Sequence, residues 1–218
     1  MPETQTKKMI KCQSNMNPIE SIYKNKIVAV IRAEEPAEAI EKVQAMTESG
    51  IRVFEVTVEK GIMLDAVERL RKSADITVMA GGVITSMRAM EAIQSGAQII
   101  VSPVFQGSLL KFCLGMKTPH IATVSTPNEA YNAWKSRIPV IKIFPAKSMG
   151  EVEYIEDILR PMPFLNLMPS GGITIEDFDK YLKVGAVAVG LGRTLYKGAS
   201  IKEIKERAKY VTEKLTCL

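Results

Sequence analysis

Histidine occurs once in these 218 residues, as His120. A single imidazole excludes metal centres built from several histidines and leaves at most one position for a Ser/His/Asp arrangement. Chemistry in this chain has to run on lysine, carboxylates, hydroxyls or backbone. Cysteine is also scarce: Cys12, Cys113 and Cys217 are odd in number and widely scattered, which fits neither a disulfide framework nor a zinc-ligand spacing. They read as reduced thiols. No apolar run approaches the length of a membrane span, and the opening MPETQTKK lacks the apolar core of a secretory leader. The expectation is a soluble cytoplasmic protein with no membrane partner.

Charge of one sign is not concentrated either. The formal net charge of +5 comes from 29 Lys and Arg against 24 Asp and Glu, partly in YKNK and the mixed KEIKERAKYVTEK. A spread excess of this kind reads as solvated surface that also attracts anionic metabolites, and not as the basic stripe of a nucleic-acid binder. With 46% hydrophobic and 24% charged residues, the chain suits one well-buried domain.

What is present is a repeated alternation. Short apolar runs recur at 26–31, 52–57, 76–80, 98–103, 120–123, 140–145, 165–170 and 186–190, with helical patterns between them. Pro36 opens a helix that stops at Gly50, Thr126-Pro127-Asn128-Glu129 has the form of a helix start, and Thr174–Asp177 and Ser200–Glu203 repeat that capping pattern. The expected fold is a single-domain α/β protein, a (β/α)8 barrel over residues 17–218 with an additional N-terminal helix, preceded by a polar extension over 1–16. A doubly wound sheet is the alternative. The barrel is preferred because the eighth strand is followed by a helix and no further strand, and no dinucleotide fingerprint follows the first.

The stretch PVIKIFPAK places Lys142 inside an apolar strand, where an ammonium is costly unless it is paired or used. Lumen layers of a barrel are drawn from alternate strands. Lys142 on the sixth strand and Glu55 on the second therefore face each other if their registers agree. One reading is a buried ion pair that only fixes the fold. The other is Schiff-base chemistry: a lysine amine shielded from water attacks a ketone while a carboxylate moves protons in and out of the adduct. MPSGGIT and VGLGRTL, after the seventh and eighth strands, are glycine loops at the usual barrel phosphate position. Ser170, Gly171, Gly172, Gly192 and the cation of Arg193 are the candidates there.

The motifs VAVIRA, FEVTVEK, VMAGGVI, IVSP, STPNEA, KIFPA, MPSGGIT and VGLGRTLY together resemble the 2-keto-3-deoxy-6-phosphogluconate and 4-hydroxy-2-oxoglutarate aldolases. These are class I enzymes on a (β/α)8 barrel, typically homotrimeric. The resemblance implies Lys142 as Schiff-base lysine and Glu55 as general acid/base, with no cofactor and no metal. It also implies a small keto acid or phosphosugar acid as partner, and Arg32, Thr57, Gly82, Pro103 and Phe144 as further substrate contacts. Five positions depart from the family pattern. Glu59 stands where an arginine usually holds the substrate carboxylate, Gly82 where a threonine is usual, Ala122-Thr123 where proline-glycine precedes Ser-Thr, and Arg193 where a serine is frequent. Lys60, Arg32 and Thr123 are the candidates to replace the missing clamp. Two other readings compete with the aldolase: a non-catalytic relative that binds a phosphorylated metabolite, and a phosphosugar isomerase or epimerase in which Lys142 acts only through its charge.

Overall fold

The computed structural model describes residues 17–73 and 75–218; the expected extension over 1–16, with Cys12, lies outside them. Eight strands follow the expected runs: β1 Ile27–Ile31, β2 Val53–Thr57, β3 Thr77–Gly81, β4 Ile99–Ser102, β5 His120–Val124, β6 Ile141–Ile143, β7 Leu167–Pro169 and β8 Val189–Leu191. All pairings are parallel, in the order β7-β6-β5-β4-β3-β2-β1-β8. A parallel bridge between Ser170 and Gly190 joins the two ends and closes the barrel. Every strand residue is buried, because one strand face meets the lumen and the other the helix layer.

Two apolar groups reflect those two faces. The larger lies between strands and helices, and the smaller fills the lumen with Val28, Val53, Met79, Ile99, Val101, Ile121, Val140, Met168 and Ala188. The N-terminal helix Pro18–Asn25 completes the second group with Ile19 and Ile22. It starts where sequence rules place a helix, with Pro18 in its first turn and the Asn17 side chain accepting from the Ile19 N–H. Its polar face is tied to the strand starts: Thr77 Oγ1 donates to Ser21 Oγ at 2.9 Å and the Tyr23 hydroxyl donates to the Pro139 carbonyl at 3.0 Å. This plug seals the N-terminal end of the barrel. Burying an isoleucine there contributes about 1.5–3 kcal/mol.

Local signals mostly behave as expected. The helix Pro36–Glu48 begins at its proline, and full capping boxes form at Thr126/Glu129 and Ser200/Glu203. At 174–177 the expected helix start is corrected. Thr174 Oγ1 donates to the Asp177 carboxylate at 3.0 Å and the Asp177 N–H goes to the Thr174 carbonyl, so a turn forms and the helix is Phe178–Lys183. The last strand also begins at Val189, three residues later than its apolar run. Cys113 is a free buried thiol, pushed up to about 11 by burial, and Cys217 is free and exposed. No helix among the described residues is long and apolar enough to cross a membrane.

His120 opens β5 and is buried, with Nε2 2.8 Å from Ser102 Oγ. Ser102 Oγ in turn donates to the Val104 carbonyl at 2.7 Å, so the imidazole is the donor to Ser102 and is the neutral Nε2–H tautomer. Nδ1 has no partner among the described residues. The histidine thus anchors the loop after β4, in keeping with a structural role. Burial pushes its pKa down from 6.5 to about 4. An unfolded chain takes up this proton near pH 6.5 and the folded chain does not, so the contribution is complete above 6.5 and is lost as pH falls towards 4. We expect a stability loss of about 3 kcal/mol over that window from this group, read from urea midpoints, and a shallower pH slope in His120→Gln.

Candidate active site

Glu55 and Lys142 each occupy the middle of a short lumen-facing strand. Register sets their height: Glu55 stands level with Met79 on β3, and Lys142 level with Thr123 on β5 and Met168 on β7. The two even-numbered strands bring the side chains together across the lumen. Lys142 Nζ donates to Glu55 Oε1 at 2.8 Å and to Oε2 at 2.7 Å. The side chains are only 8% and 3% exposed, so the pair is held in a low-dielectric setting next to two methionines. Such a pair gains much from mutual attraction and loses several kcal/mol of hydration per ion.

Space for the carboxylate comes from a residue that the sequence reading missed. A Cβ on Gly81 would sit 2.5 Å from Glu55 Oε1 and 2.8 Å from its Cγ. Gly190 plays the same part for Ser170, whose Oγ would lie 2.6 Å from a Cβ there. Glycine inside a strand marks close approach, and the AGG and VGLG runs carried that signal.

The rim residues divide into three groups. Thr57 is buried one pleat above Glu55, and its Oγ1 donates to the Ile31 carbonyl at 3.2 Å. On the β7–β8 side, Ser170 Oγ donates to the Gly190 carbonyl at 3.0 Å, so this hydroxyl helps close the barrel. Gly171 and Gly172 both adopt left-handed backbone, φ +96° and +81°, with the Phe144 ring and Lys147 Cβ pressed where Cβ atoms would be. Phe144 is thereby fixed at the mouth, still 44% exposed. Gly192 precedes the short helix Arg193–Tyr196, and Arg193 is exposed. Pro103 is exposed on the loop after β4, two strands away from either member of the buried pair.

The third group lies above β1 to β3. Arg32 follows β1 and is drawn to Glu59, with Nη1 donating to Oε1 at 2.9 Å and Oε2 at 3.1 Å. Lys60 pairs with Glu34. These residues, with Thr57, Glu38, Ala33 and Met63, line a cavity of about 270 Å3. Among the described residues no cluster of three or more His, Cys, Asp or Glu is placed to hold a metal ion.

A closed barrel that buries a lysine against a glutamate, with glycine loops after its last two strands, has the framework of an imine-forming enzyme. The chain belongs to the KDPG and KHG aldolase family, whose model matches residues 19–210. It is 30% identical over 164 residues to the 2-dehydro-3-deoxy-phosphogluconate aldolase of Treponema pallidum, covering 75% of this chain and 78% of the relative. It is 29% identical over 162 residues to the KHG/KDPG aldolase of Escherichia coli, covering 74% and 76%. Among solved structures it resembles KDPG aldolase from Legionella pneumophila with pyruvate captured at low pH as a covalent carbinolamine. That match has a TM-score of 0.78 and 26% identity, over 91% of this chain and 96% of that one.

The crowding at Gly81 is directly testable. Gly81→Ala drives a methyl group into the Glu55 carboxylate and should cost about 1–3 kcal/mol, as overpacking does. Thermal denaturation reads the effect. Gly107→Ala, where a Cβ meets nothing within 4 Å, is the control that should leave the midpoint nearly unchanged.

Proposed function

We propose that Lys142 is the nucleophile and Glu55 the proton relay of a class I aldolase that cleaves a 2-keto-3-deoxy sugar acid to pyruvate and an aldehyde. The observation that carries this reading is the direct contact of the two side chains, 2.7–2.8 Å, in a nearly dry lumen. A carboxylate at that distance can take the ammonium proton and leave a free amine. The amine attacks the C2 ketone, and Glu55 delivers protons as water leaves, giving a protonated imine. The imine withdraws the electron pair of the C3–C4 bond while Glu55 accepts the proton of the C4 hydroxyl, and the aldehyde departs. Protonation of the enamine at C3, followed by hydrolysis, returns pyruvate and the free lysine. No metal enters any step.

The relatives' names, phosphogluconate and KHG/KDPG aldolases, support 2-keto-3-deoxy-6-phosphogluconate or 4-hydroxy-2-oxoglutarate as substrate class. For a phosphorylated substrate, the Ser170–Gly172 loop and Gly192-Arg193 are the proposed phosphate contacts, with Phe144 and Pro103 bordering the mouth. A carbinolamine trapped in the Legionella relative favours covalent catalysis over the isomerase and binding-protein readings. The family resemblance also supports a cytoplasmic homotrimer, which sedimentation of the purified chain would check.

Borohydride trapping with pyruvate, read by intact mass, tests the nucleophile. The adduct should form on the wild type and be absent from Lys142→Ala. That variant should stay folded with a lower thermal midpoint, because Glu55 is left buried without its cation. Near-wild-type cleavage by Lys142→Ala would end the Schiff-base reading. Glu55→Gln should still form some imine while turnover slows by about a hundredfold or more.

A further inference from the structure

One buried hydroxyl is left without a partner, and it lies beside the reactive lysine. The buried serines and threonines among the described residues are Ser21, Thr57, Thr77, Ser102, Thr123 and Ser170. All but one take part in hydrogen bonds: Thr57 donates to the Ile31 carbonyl, Thr77 to Ser21, Ser102 to the Val104 carbonyl and Ser170 to the Gly190 carbonyl. Thr123 Oγ1 makes none with the described residues, although Thr123 is only 7% exposed. A hydroxyl taken out of water and given no partner is a cost to the fold. We infer that its partner is the substrate: Thr123 Oγ1 donates to the C2 oxygen of a 2-keto acid as Lys142 adds to C2. The inference rests on the reading above that Lys142 forms an imine.

Strand register puts this hydroxyl on the right face and at the right height. Thr123 pairs with Lys142 across β5 and β6, and paired residues on neighbouring strands stand about 4.8 Å apart with their side chains on the same face. Ile121, two residues earlier, packs in the lumen, whereas Ala122 and Val124 pack between strands and helices. Thr123 therefore faces the lumen with Lys142. The other flank of the lysine is Met168, level with it on β7, and a thioether donates no hydrogen bond. Ser125 and Ser170, each two residues further along these flanking strands, are committed to the Phe144 and Gly190 carbonyls. Thr123 is the hydroxyl bordering Lys142 that is free to donate.

Imine formation has a use for such a donor. When the Nζ lone pair forms the C–N bond, the C=O π pair moves onto oxygen, and an alkoxide develops two bonds from Nζ. Glu55, which has taken the ammonium proton, delivers it to that oxygen. The carboxylate next takes a proton from nitrogen and passes it to the new hydroxyl, which leaves as water while the nitrogen pair closes the C=N bond. Thr123 transfers no proton in this cycle. Its O–H holds the oxygen while charge develops there, a contact that is stronger in the transition state than with the ground-state ketone.

Rapid-quench borohydride trapping over a series of pyruvate concentrations tests the assignment. Thr123→Val keeps the β-branched shape and removes the hydroxyl. It should slow the saturating rate of imine formation about tenfold to a hundredfold, the scale of a hydrogen bond to a charged oxygen. The half-saturating pyruvate concentration should move by no more than roughly threefold, as expected for a contact made in the transition state. Thr123→Ser should stay near wild type, and Thr123→Ala should be as slow as the valine variant. Thermal melts confirm folding, and the serine–alanine comparison carries the test if the valine variant is unstable. An unchanged rate without the hydroxyl, a serine variant as slow as alanine, or an effect confined to the half-saturating concentration would each overturn the inference. The last result would make Thr123 a ground-state binding contact only. In each of these cases trapping by the wild type leaves the Schiff-base reading standing, whereas failure of the wild type to trap pyruvate would overturn both.

Discussion

The contact between Lys142 and Glu55 is the constraint around which the barrel is arranged. Two opposite charges in a lumen filled largely by Val, Ile, Met and Ala are tolerated only if they satisfy each other, since either charge alone would be left without water or partner. Strand register, the missing side chain at Gly81 and the closure between Ser170 and Gly190 all serve that meeting. The pair is a poor source of stability by its nature. The two side chains are nevertheless held almost fully out of water.

The barrel separates stability from reactivity along its axis. At one end, the Pro18–Asn25 helix closes the lumen with isoleucine side chains and two hydrogen bonds to the strand starts. At the other, the strands end in loops carrying glycine, exposed Phe144 and most of the charges that face the cavity above β1 and β2. The buried pair lies between the plug and the loop end, so the plug keeps bulk water from reaching it from below.

Much of this was legible before the structure. A charge inside a β-branched run is a local anomaly that needs no partner to be noticed, and alternate-strand layering names the strands that can supply one, which is why Lys142 and Glu55 could be paired from sequence. Caps were equally readable at Thr126 and Ser200, where hydroxyl and carboxylate both serve backbone N–H groups. At Thr174 the Asp177 N–H goes to the Thr174 carbonyl and not to its hydroxyl, a choice between two acceptors that spacing does not determine. The Arg32–Glu59 contact was out of reach for a different reason: it joins the ends of two loops through the rotamers of two long, half-exposed side chains. Gly81 and Gly190 were overlooked because a glycine's role lies in the neighbour that occupies its missing side chain.

The fit of Glu59 over Gly82 also bears on how this rim responds to substitution. With Glu59 in its present position, residue 82 cannot carry even a methyl group without striking it. A side chain gained at 82 therefore makes Glu59, whose side chain is 55% exposed, swing away from Arg32 into solvent. The glycine thus decides where the acid lies and not whether the chain can carry it, so a change at either position alters the surroundings of the other.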